Sequence, residues 1–186
     1  MPRRVATSLS TVATPPGPAG DRPLRAPVRA TGPRGWVVAA AALDTLARVS
    51  AAKVSPEFLK GLEDLDSTVG EALKPALREM IRLRCSHING CSYCIRLHSE
   101  QLAALGARPE LIGALARPIK LMRDDLISEG DAAALRFAEI LTDYPRGLEI
   151  EARDVAGEFF TQKQLGAIVE TVAVINAWNR VTRGME

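Results

Sequence analysis

The chain has 186 residues, 47% apolar and 25% charged, the composition of one globular domain with enough material for a real core. A formal net charge of +2 gives no electrostatic case for a nucleic-acid or membrane partner, and an aromatic share of 4% argues against a base-stacking surface. The longest apolar run, Trp36 to Leu43, falls well short of the ~20 residues that span a bilayer.

Composition divides the chain near Gly35. Residues 1–35 hold seven of the twelve prolines, six arginines and one acid, Asp21, so they carry +5 and leave −3 for residues 36–186. With few large apolar side chains to offset its ordering entropy, this stretch reads as a disordered Pro/Arg-rich tail. No apolar run closely follows Arg3-Arg4, as a twin-arginine export signal would require. An Arg-rich, acid-poor leader also matches an organellar transit peptide in composition.

From Trp36 onward the pattern is helical, and strand-like alternation is absent. Ser55-Pro56-Glu57 supplies an N-cap, a first-turn proline and a first-turn acid. Periodicity predicts the next helix from Glu71 to about His87. At about 100° per residue, Leu73, Ala76, Leu77, Met80, Ile81 and Leu83 form its apolar stripe, with Lys74, Arg78 and Arg82 opposite. Glu79 falls at the stripe's edge. Arg84 falls inside the stripe and needs a carboxylate or carbonyl partner if buried.

Asn89-Gly90 ends that helix, and a new one starts around Cys91. Pro109-Glu110 opens another helix, and Ser128 with Asp131 caps the one carrying Ala132 to Leu141. Tyr144-Pro145-Arg146-Gly147 is a loop. Thr161 and Gln164 form a capping box for the last helix, which runs towards Arg180 with Leu165, Ile168, Val169 and Val172 on its buried face. Asn176 and Asn179 share that face and need partners in the core or across a subunit contact. Trp178 reads as packing. The whole is a compact all-α domain of five to seven helices over residues 36–186, and its nearly all-round apolar last helix predicts a homo-oligomer.

Three cysteines cannot all pair within one chain, and two of them form Cys91-Ser92-Tyr93-Cys94. That usage points to a reducing, cytoplasmic compartment and a chemical task for the pair. Cys91 sits at a helix N-terminus, where free N–H groups and the dipole favour thiolate. Cys94 lies on the same face three residues on, close enough to pair, and His98 follows at i+4 as a base for its thiol. A zinc site built from Cys91, Cys94, His98 and either Cys85 or His87 is an alternative, as is inert packing. Cys85 itself reads as a buried apolar residue or a spare thiol.

The run from Glu79 through Cys91, Cys94 and His98 to Ser99 resembles the core signature of the carboxymuconolactone decarboxylase superfamily, most closely its alkylhydroperoxidase D-like (AhpD-like) branch. Glu79 stands twelve residues before Cys91, and His98 four after Cys94. Glu129 to Leu135 and Asn176 to Arg180 resemble later segments of the family, and the likeness spans about residues 54–183. The resemblance implies an all-helical fold assembled as a trimer or a multiple of three. It also implies a thiol peroxidase that needs no haem, metal or other cofactor.

In that branch the cysteine pair reduces an organic hydroperoxide or hydrogen peroxide and closes to a disulfide. A dithiol protein, lipoylated or thioredoxin-like, then re-reduces it. Glu79 and His98 match the proton-relay positions, and Cys91 and Cys94 the redox pair. On this basis Cys94 attacks the peroxide, and Cys91, nearer the helix start and more exposed, resolves the sulfenic acid. Tyr93 stands where the best-known peroxidases of the branch carry a second histidine, and a phenol of pKa ~10 is no base near neutral pH. A thiol–disulfide oxidoreductase acting on protein disulfides and a non-catalytic redox-responsive oligomer are the alternatives.

Overall fold

The structure, a computed structural model, describes residues 54–123, 125–143 and 147–185. The expected tail over residues 1–35 and Tyr144, Pro145 and Arg146 of the expected loop lie outside them. Among the described residues there are seven α-helices and no strand: α1 (Pro56–Thr68), α2 (Pro75–Asn89), α3 (Ser92–Ala104), α4 (Pro109–Ala114), α5 (Glu129–Asp143), α6 (Glu149–Gly157) and α7 (Gln162–Arg183). A single 3₁₀ turn, Ile119–Leu121, joins α4 to α5. None of these helices is long and apolar enough to cross a membrane.

The caps read from the sequence are formed. The Ser55 hydroxyl accepts from the N–H of Phe58, Ser128 accepts from Asp131, and Thr161 and Gln164 close a reciprocal box. Helix α2 starts four residues later than its periodicity suggests. Pro75 takes the first helical position, where its missing N–H costs nothing. Gly70, at φ 73°, turns the chain between α1 and α2, and a Cβ there would lie 2.6 Å from Thr171 Oγ1. Helix α6 has no side-chain cap and gives little sequence signal.

Helix α2 lies at the centre, packed on α3, α5 and α7, with every residue from Leu77 to Ser86 buried. This overturns the expected polar face, because Arg78 and Arg82 are buried too. Arg84 finds the partner it requires: its Nε lies 2.7 Å from Glu139 Oε1 on α5, and its Nη1 donates to the Leu115 carbonyl. Glu139 also accepts the backbone N–H of Ile119 and a bond from Arg136, so the carboxylate fastens α2, α5 and the 3₁₀ turn together.

On α7 the buried line is Leu165, Ile168, Val172, Ile175 and Asn179, and Val169 turns outward at 44% exposure. Ala167, Thr171, Val174 and Thr182 are buried beside that line. Asn179 and Asn176 join Asn89 at the end of α2. The Asn89 amide donates to both side-chain oxygens, at 2.9 and 2.7 Å, and to the Cys85 carbonyl. Asn179 in turn donates to Ser86, and Asn176 to Thr142. The partners expected for these two amides lie within the chain, and Trp178 packs beside them.

Replacing Glu139 with Leu leaves the Arg84 guanidinium buried without its carboxylate. It is expected to cost about 3–5 kcal/mol. The urea midpoint under reducing conditions checks this, and a loss below ~1 kcal/mol would show that Arg84 reaches water instead.

Candidate active site

The Asn-Gly break shapes the redox segment. Gly90 adopts φ 66° and ends α2, with its N–H on the His87 and Ser86 carbonyls and the next N–H, that of Cys91, on Ser86. Cys91 is therefore two residues past the end of one helix and the N-cap of the next. Its sulfur accepts from the N–H of Cys94 at 3.3 Å, the place a serine or aspartate oxygen usually takes. Cys91 and Cys94 are joined as a disulfide across 5.3 Å of Cα separation.

Both sulfur residues are buried, Cys91 at 0% and Cys94 at 3% exposure, so Cys91 is not the more accessible of the two.

His98 is one turn along α3 from Cys94 and is also buried. Its Nδ1 lies 2.8 Å from Glu79 Oε2 and 3.2 Å from Gln101 Oε1. Both neighbours are acceptors, so Nδ1 carries the proton and the lone pair of the neutral ring sits on Nε2. The other oxygen of Glu79 accepts from Arg82 Nη1 at 3.0 Å, and Arg82 Nη2 reaches Asp66 on α1 at 2.7 Å. Four side chains on three helices thus form one line: Asp66, Arg82, Glu79 and His98. Burial works against the charge on Glu79. The hydrogen bond from His98 and the charges of His98, Arg82 and Arg78 outweigh it and hold the carboxyl below its usual range.

Of the residues singled out from the sequence, the structure brings Glu79 and His98 into direct contact and joins Cys91 to Cys94 at the start of the helix that carries His98. Arg82, Asp66 and Gln101 were not read as part of the site. Arg82 and Gln101 each lie three residues from a partner on its own helix, a spacing that could have flagged both. Asp66 carries no such signal. Tyr93, at the second-histidine position, has the Arg96 guanidinium 5.4 Å from its ring centre.

Cys85 stands apart. It is fully buried, accepts a hydrogen bond from Thr142, and burial pushes its thiol up to about 12. His87 is half-buried, and burial together with the Arg84 charge lowers its pKa. Among the described residues no group of three or more His, Cys, Asp or Glu side chains is placed to hold a metal ion.

Residues 56–142 match the carboxymuconolactone decarboxylase family. The match spans 87 of the 186 residues. Over 74% of this chain and 93% of its own length, the uncharacterised protein YdfG of Bacillus subtilis (strain 168) is 29% identical. A crystal structure from Agrobacterium tumefaciens, of a protein of unknown function with a proposed assignment to AhpD antioxidant defence, is 26% identical. It superposes with a TM-score of 0.66 over 74% of this chain and 94% of its own. An uncharacterised peroxidase-related protein from Silicibacter sp. TM1040 shares the fold at 23% identity and a TM-score of 0.63, over 74% of this chain and 72% of its own. These findings support an AhpD-like fold with a closed C-x-x-C pair.

Two solution measurements follow from the geometry. In the folded, oxidised protein a thiol reagent at pH 8 should find no fast thiol, and denaturation should expose one per chain, Cys85. Two further thiols on denaturation would show the pair open. Glu79 contributes stability above its unfolded pKa of about 4.3, and that contribution is lost as pH falls through the lower folded value. The stability gap between wild type and Glu79→Gln should therefore be full at pH 7 and narrow below pH ~4, read from urea midpoints across that range. A gap independent of pH would place the ionised carboxylate outside the interaction.

Proposed function

We propose that this chain is a thiol peroxidase that reduces a small hydroperoxide at Cys94 and closes the Cys91–Cys94 disulfide in each cycle. The observation that carries this proposal is the buried disulfide at the start of α3, one turn from a histidine whose ring is fixed by Glu79. In the reduced pair, Nε2 of His98 takes the Cys94 proton, and the thiolate attacks the outer peroxide oxygen. The O–O bond breaks, the alkoxide leaves with that proton as an alcohol, and Cys94 becomes a sulfenic acid. The Cys91 thiol then attacks the sulfenic sulfur, the S–S bond forms, and water leaves.

A dithiol reductant returns the pair to two thiols and is itself oxidised to a disulfide. The N-cap position favours this last step, because a thiolate on Cys91 is stabilised by the Cys94 N–H and so leaves readily. Burial of both sulfurs favours a small peroxide over a folded protein disulfide as the oxidant. It equally favours a reductant with its dithiol on a slender arm, as in a lipoylated protein, over a flat protein surface. Assembly as a homo-oligomer, in threes, belongs to the same proposal, as does action in the cytoplasm without a cofactor.

The test is single-turnover peroxide loss against pH, with sulfenic acid trapped and located by mass spectrometry. Cys91→Ser should consume about one equivalent and stall as sulfenic acid on Cys94, whereas Cys94→Ser should consume almost none. Both variants should lose steady-state turnover. His98→Ala should raise the pH at which the fast reaction appears, and Glu79→Gln should do the same more weakly. Sulfenic acid on Cys91, with the first turnover kept in Cys94→Ser, would reverse the two roles. If neither cysteine outpaces a free thiol, the pair is a redox switch and not a peroxidase.

A further inference from the structure

A cavity of about 300 Å³ opens where the C-terminal ends of α2 and α7 meet, lined by Asn89, Asn179, Arg180, Arg183 and Gly184. Among the described residues its lining holds two guanidiniums, two carboxamides and no acid. The two arginines are exposed, and each is half-committed. Arg180 Nη1 donates to the Asn176 carbonyl and side-chain oxygen, and Arg183 Nη1 donates to the Asn89 carbonyl at 2.7 Å. Among the described residues, Nε and Nη2 of both have no protein acceptor. These tethers hold the guanidiniums in place and leave their outer edges free, which is how a fork for a planar oxyanion is built. The floor is equally fixed, since Asn179 is fully buried and Asn89 is held by three acceptors.

The position matters as much as the charge. Asn89 stands two residues before Cys91, and α3 packs against α7, so the cavity borders the corner that carries the disulfide. We propose that this cavity is an anion subsite that holds the carboxylate of the hydroperoxide substrate, making the preferred peroxide an organic acid and not a neutral alkyl hydroperoxide. A volume of this size takes a small-molecule head group, which sets it apart from a docking surface for an acidic protein. The substrate assignment rests on the peroxide chemistry proposed above, whereas the anion site itself does not.

Two measurements on the full chain separate them. The first titrates hexanoate, its methyl ester and inorganic phosphate while following the Gly184 backbone amide and the Asn89 side-chain amide by NMR. Hexanoate should give saturable shifts and the ester none, and Arg180→Gln or Arg183→Gln should weaken hexanoate about tenfold. Arg183→Lys, which keeps the charge and a donor for Asn89, should weaken it by a smaller factor and guards against loss of fold in the glutamine variants. Phosphate binding tighter than hexanoate, or acid and ester shifting alike, would overturn the carboxylate assignment.

The second measurement compares oxidation of the reduced pair by a carboxylate-terminated hydroperoxide and by its methyl ester. The acid should react about tenfold faster at low concentration, and the ratio should fall to about one in Arg180→Gln/Arg183→Gln. Equal rates in the wild type would overturn the subsite as a substrate determinant while leaving the peroxidase standing. No oxidation by either compound would remove the peroxidase, and the hexanoate titration would then decide the anion site alone.

Discussion

Helix α2 is sunk among three other helices while carrying Arg78, Glu79, Arg82 and Arg84 in its buried stretch. An ionised side chain removed from water costs several kcal/mol unless a partner and further hydrogen bonds compensate it. Glu79, Arg82 and Arg84 therefore each dictate something about their neighbours. Arg84 draws a carboxylate from α5, and that carboxylate fixes the 3₁₀ turn through a backbone N–H. Glu79 is the lone acid among the four, and its two oxygens face in opposite directions, one to a cation on its own helix and one to an imidazole on α3. The folding requirement and the orientation of the histidine are one constraint.

What the sequence made legible follows from which signals are local. Caps at Ser55, Ser128 and Thr161 involve residues three apart and were readable, as was the Asn89-Gly90 break that starts a helix at the cysteine. The C-x-x-C and the histidine at i+4 are local too. The buried status of Arg78 and Arg82 was not readable, because an amphipathic pattern assigns a helix one wet face. Only the packing of α3, α5 and α7 around α2, with Asp66 of α1 on Arg82, shows that α2 has none. Asp66 reaches Arg82 across sixteen residues, and no spacing rule connects them. Val169 was misassigned for the opposite reason: an apolar residue near a buried stripe need not be covered by it.

The two cysteines sit in different electrostatic settings, and the roles proposed for them follow that difference. Cys91 is an N-cap whose sulfur faces a backbone N–H, a fixed partial positive charge that requires no proton movement. Cys94 lies one turn from an imidazole, whose help depends on its own protonation. A fixed field makes a good leaving group at any pH, and a titrating base makes a nucleophile that is switched on when its proton can be taken. The Glu79 carboxylate keeps the basic nitrogen of His98 on the side away from Glu79, so the tautomer is set before any substrate arrives.

Opening and closing a disulfide changes the distance between two sulfurs, so the segment around them must tolerate that change without unfolding. The α2–α3 corner is held from the other side by the amide cluster. Asn89 ties the last turn of α2 to Asn176 and Asn179, and Arg183 fastens the Asn89 carbonyl. Beyond Asn89 comes the left-handed Gly90, where a Cβ would meet nothing within 4 Å. The amide cluster thus anchors the α2 side of the corner, two residues before the cysteine pair begins. The ion-paired stretch of α2 lies on the near side of that anchor, so the fixed Asn89 stands between Glu79 and the cysteine pair along the chain.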